Sequence, residues 1–134
     1  MAHATIHGDA REAFDAAQTY IKEQNLRAAK VELLNAIAAE PEWIEAHLKL
    51  AEVALELFDP VTAREHIDKA IKLGAPETAY SHLLGHALWL AGENADAEKA
   101  LTQKAISNAR LPYAYRILGR VYMDRGDTIA AEEA

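Results

Sequence analysis

His82 and His86 stand four residues apart in the run SHLLGHALWLA at residues 81–91. One helical turn separates them, so both imidazoles would share a face, which is the spacing of a helical metal site. A catalytic zinc needs a third protein ligand and an open position. The intervening Leu83-Leu84-Gly85 supplies no carboxylate, unlike the helical His-Glu-x-x-His pattern. Glu52 is the one plausible extra ligand, and Arg120 would oppose a cation. A metal-dependent enzyme built on His82 and His86 is therefore the remote reading. The pair is expected to line a binding groove, hydrogen-bonding a ligand or changing charge near about pH 6–7. His47 and His66 read as ordinary surface or packing residues, and His3 and His7 belong to a loose end. No glycine-rich phosphate loop, Ser-His-Asp arrangement or sequestered carboxylate pair is present, and Glu132-Glu133 reads as solvated charge. Neither enzymatic activity nor a cofactor is expected.

The elements that hold these residues follow from composition and period. A chain of 134 residues makes about one domain. Alanine fills 29 positions while Gly (6) and Pro (4) are few, which favours closely packed helices. A formal net charge of −7 argues against non-specific nucleic-acid binding. Cysteine is absent, which excludes disulfides and thiolate metal sites. No apolar run approaches the roughly 18–20 residues of a membrane span, so no membrane insertion is expected. The start, MAHATIHGDA, has neither the basic end nor the apolar core of a signal peptide, which favours the cytoplasm. Residues 1–8 are read as a flexible segment, its Met-Ala-His attributable to cloning.

The chain repeats itself. Leu50-Ala51, Leu84-Gly85 and Leu118-Gly119 fall 34 residues apart, with Ala16-Ala17 one period earlier. Ala29, Ala63, Ala97 and Ala131 keep the same spacing, as do Leu33, Ile67 and Leu101. Ala36 and Ala70 continue the pattern until Lys104 breaks it. Each period divides into two helices. In the second, Leu50, Val53, Ala54 and Leu57 form one apolar stripe, and Ala63, Ile67, Ala70 and Ile71 form the other. Asp59-Pro60 supplies an N-cap and a first-turn proline, and Gly74-Ala75-Pro76 ends the pair. Gly92-Glu93-Asn94 and Gly126-Asp127 should make the corresponding hairpins in the third and fourth periods. The small residues at 51, 85, 119 and 63, 97, 131 mark the expected closest approach of paired helices.

A 34-residue helix–turn–helix with these rows resembles the tetratricopeptide repeat. The likeness is carried by Leu118, Gly119 and Tyr122, by Tyr20, Ala29, Leu33, Ala36 and Pro41, and by Leu84, Gly85, Ala97 and Leu101. Leu88 and Ala54 depart from the usual tyrosine, Pro76 sits one residue late, and Lys104 replaces a small residue. Pentatricopeptide and Sel1-like repeats fit less well, given the acidic charge and the strict spacing. The resemblance implies an all-α, right-handed superhelical solenoid: one domain over 9–134, with units 10–43, 44–77, 78–111 and a truncated 112–134. The missing polar capping helix suggests a fragment of a longer array or of a multidomain protein.

The resemblance further implies a concave wall built from the first helix of each pair. Its rows would be Phe14, Leu48, His82, Arg116; then Gln18, Glu52, His86, Arg120; then Ile21, Leu55, Trp89, Met123. Beside them lie Lys22, Glu56, Leu90, Asp124 and the outer row Arg11, Glu45, Ala79, Tyr113. Phe14, Leu48, Ile21, Leu55, Trp89, Leu90 and Met123 would make an apolar floor. Charge would run from Glu45, Glu52 and Glu56 through the histidines to Arg116 and Arg120. The chaperone-tail clamp of some family members is not matched, since only Lys49 has the required type. The expected function is a non-catalytic protein–protein interaction module, its partner a peptide or helix of another protein. The alternative is a structural scaffold that self-associates end to end.

Overall fold

The computed structural model describes residues 8–133, the last seven by backbone alone. Seven α-helices follow one another: α1 (Gly8–Lys22), α2 (Leu26–Ala39), α3 (Ile44–Glu56), α4 (Pro60–Lys72), α5 (Glu77–Leu90), α6 (Asn94–Leu101) and α7 (Leu111–Glu133). A short 3-10 turn at Asn108–Arg110 precedes α7, and no strand occurs among the described residues. The fold is all-α. Gly8 already belongs to α1, which shortens the expected leading segment, and His3 and His7 lie outside the described residues. The helices gather into two compact units that meet in the chain between Ala75 and Pro76.

Three hairpins close in the same way. Gln24, Phe58 and Gly92, spaced 34 residues apart, take φ of +62°, +60° and +83°. Behind each, the N–H of Asn25, Asp59 or Glu93 donates to the carbonyl of Tyr20, Ala54 or Leu88 at 2.8–2.9 Å. This six-residue backward bond occupies a helix-end carbonyl that would otherwise go unmet. Asn25 and Asp59 then accept from the N–H groups of Ala28 (3.3 Å) and Thr62 (3.1 Å), starting α2 and α4. The Thr62 hydrogen bonds hold the Asp59 carboxyl below its usual range, and Pro60 opens α4 as its sequence position predicts. A left-handed backbone costs a residue with a side chain roughly 1–2 kcal/mol, which Gly92 avoids and Phe58 does not. Phe58→Gly should therefore raise stability by about 0.5–1 kcal/mol, net of the looser unfolded chain, seen as a higher urea midpoint.

In the first unit α1 packs on α2, α2 on α3 and α3 on α4. The alanine rows do what their spacing predicts: Ala17, Ala29, Ala36, Ala51, Ala63 and Ala70 are all fully buried, alongside Leu33, Leu50 and Ile67. Ile71, assigned to the inner stripe of α4, instead faces outward. Trp43 fills the space between α1 and α3, its ring 4.7 Å from that of Phe14 and beneath the Arg11 guanidinium.

Of the two readings of His47 and His66, surface or packing, the structure shows packing. Both are buried, with Nδ1 atoms 3.0 Å apart and rings stacked at 5.2 Å. His47 Nε2 lies 2.7 Å from the Pro41 carbonyl, which can only accept, so that nitrogen carries a proton. In a neutral His47 its Nδ1 is then the acceptor, and His66 Nδ1–H donates to it. Burial, then the neighbouring His47, lowers the His66 pKa.

In the second unit α5 packs on α6, and α7 touches both. Gly85 is the tightest point: a β-carbon there would collide with the Leu101 side chain. Beyond it the helices depart from the repeat at two points, the first of them marked in the sequence by Lys104. α6 stops at Leu101, where Thr102 turns its hydroxyl back to the Glu98 carbonyl at 2.8 Å. The next seat of the small-residue row is Lys104, whose ammonium cannot enter the place that Ala36 and Ala70 fill while fully buried. The expected hairpin at Gly126-Asp127 is also absent, since α7 runs unbroken from Leu111 to Glu133. Carrying Gly126 inside the helix costs about 1 kcal/mol relative to alanine. Gly119 has no neighbour at close approach, and a β-carbon there would meet open space.

Candidate functional site

The residues expected to line a groove divide between the two units. In the first, Phe14 and Leu55 are buried and present almost no surface, while Ile21 and Leu48 are half-buried. Phe14 belongs to the core cluster with Trp43. Gln18 is exposed on α1, and Glu52 is partly exposed, paired with Lys49 one turn earlier at 3.3 Å.

In the second unit, α5 and α7 bring their expected residues together. The Tyr113 hydroxyl and His86 Nδ1 are hydrogen-bonded at 2.5 Å. His82 meets the same tyrosine ring edge-on, with centroids 4.9 Å apart at 90°. The Trp89 indole N–H donates to the Asp124 carboxylate at 2.8 Å, and its ring lies half-buried on the unit's core. Two guanidinium groups cover the aromatic faces: Arg116 stands 5.0 Å over Tyr113 and Arg120 5.8 Å over Trp89. Arg116, Arg120 and Met123 are exposed along α7. Tyr113 and Asp124 were placed on adjoining rows by the period, and no sequence signal marked them as the links between α5 and α7.

The electrostatics overturn one expectation. His82 and His86 are 3% and 4% exposed, and each has a pKa lowered from 6.5 to about 4. Burial is the main cause for both. The charge of Arg110 and then the neighbouring His86 add to it at His82, and Arg116 and Arg120 add to it at His86. Both imidazoles are thus neutral at pH 6–7 and do not switch there. His82 Nδ1 is buried without a hydrogen-bond partner. Among the described residues no three His, Cys, Asp or Glu side chains gather as metal ligands. No helix among them is long and apolar enough to cross a membrane.

What remains is a surface of flat aromatic rings and fixed cations, framed by one carboxylate, on two helices held by buried contacts. Such a surface suits recognition of a negatively charged group flanked by apolar bulk. No family model matches the sequence, and no curated protein matches it as a relative.

Proposed function

We propose that the chain is a tetratricopeptide-like repeat array, a right-handed solenoid of helix pairs that acts as a non-catalytic module binding a segment of another protein. The repeat reading is supported by the recurrence of the left-handed hinge at Gln24, Phe58 and Gly92, with the same backward hydrogen bond behind each. The binding reading rests on the cation–aromatic surface of Trp89, Tyr113, Arg116 and Arg120. Tryptophan and arginine are the residue types that most often dominate binding energy, because each combines large apolar contact with directed polar contact. A partner segment would lay an apolar side chain against the Trp89 region and set a carboxylate against Arg116 or Arg120.

Selection from a displayed peptide library should return segments that pair an acidic residue with a large apolar one. Trp89→Ala combined with Arg120→Glu should lower affinity for those peptides by at least about 2 kcal/mol, roughly thirtyfold. The circular dichroism of the variant should remain that of the parent. Recovery of basic peptides, or peptide binding untouched by the double substitution, would remove the reading.

A further inference from the structure

At the register where the third hairpin uses Gly92, the α3–α4 hairpin carries Phe58, with φ +60° and 77% of its surface exposed. A bulky aromatic held in left-handed backbone and offered to solvent helps neither folding nor solubility. Its surroundings are equally unusual. Val61 (78% exposed), Val31 and Leu34 extend the apolar surface. Between α2 and the hairpin lies a cavity of about 370 Å³ lined by Arg27, Lys30, Val31, Leu34, Leu57 and Asp59. Leu57 and Asp59 flank Phe58 in the chain, so the projecting ring is attached to the wall of the hollow beside it. Charge of both signs borders the patch, Lys30 and Asp59 approaching at 4.0 Å with Arg27 alongside.

We propose that this surface binds a second copy of the chain about a two-fold axis, the Phe58 ring of each copy entering the cavity of the other. An isologous interface must be complementary to itself. A projection and a hollow on one patch meet that condition, whereas a partner of different sequence would need only one of them. The charges comply as well: Asp59 carries one sign and Arg27 and Lys30 the other on the same patch, so two copies meeting there can set unlike charges against each other. The patch is small, so the dimer is a weak one, formed at high local concentration. It lies wholly within the first unit and is independent of the α5–α7 surface.

Sedimentation equilibrium from about 10 µM to about 1 mM spans the range in which such an interface should assemble. The mass of the parent protein should rise from one chain toward two. Phe58→Gly should stay monomeric, its association weakened at least tenfold, and because glycine suits the positive φ the variant keeps its fold, checked by circular dichroism. Trp89→Ala with Arg120→Glu should associate like the parent. A parent that remains monomeric throughout overturns the proposal and leaves the surface to a different protein. A Phe58→Gly variant that dimerises like the parent overturns it too.

Discussion

Alanine at Gly85 should destabilise the protein by about 1–3 kcal/mol, while alanine at Gly119 should stabilise it by about 0.5–1 kcal/mol. The two glycines occupy equivalent places one period apart, so sequence alone assigns them the same cost. Their surroundings differ. At Gly85 the new methyl group would overlap the Leu101 side chain at its branch point as well as at its tips, so rotating one terminal bond does not clear it. Either α5 and α6 move apart or Leu101 leaves its buried seat, and both lose packing. At Gly119 nothing lies within reach, and the substitution acts only on the backbone of a long helix, where alanine is the better residue. Urea unfolding of the two single variants reads both signs directly. Destabilisation at both sites would mean that Gly119 does face a packed neighbour in solution.

Acid should begin to destabilise the protein above the pH at which carboxylates titrate. His82 and His86 have pKa values of about 4 in the folded chain against 6.5 when unconstrained, so the unfolded chain takes up protons first. Their contribution is intact above about pH 6.5 and is lost progressively as pH falls through that value toward about 4. His66, also lowered by burial, adds in the same direction. Asp59 and Glu98 are lowered too, but carboxylates begin to lose their contribution only below about pH 5, so the slope between about pH 6.5 and 5 belongs to the imidazoles. His82→Leu should flatten that slope and hold or raise stability at pH 7, because it removes both the titrating ring and its unpartnered Nδ1. Urea midpoints of the parent that stay level from pH 7 to pH 5 would contradict the buried, neutral state of the pair.

The period of this sequence by itself determined the all-α class, the hairpins at Asp59-Pro60 and Gly92, and the small-residue seams at Ala51, Ala63, Gly85 and Ala97, though not the hairpin expected at Gly126 or the close approach expected at Gly119. Those features come from local rules repeated without insertion: a cap at Asp59, a proline at 60, a left-handed glycine at 74 or 92, and alanines spaced for close contact. The surface that Trp89, Arg116 and Arg120 share was also legible as residues in register, because equal steps along equal helices return to equal faces. Tertiary structure decided the rest. Periodicity places a residue on a face but does not say how deep that face lies, so Phe14 and Leu55 are core and not floor, and His82 and His86 are neutral and not switches. Nor does it register what the next element supplies. α7 passes unbroken through Gly126, and a glycine kept inside a helix and a glycine in a hairpin read alike in the sequence. The His47–His66 couple lay beyond any local rule, since it depends on two helices meeting within 3.0 Å of two ring nitrogens.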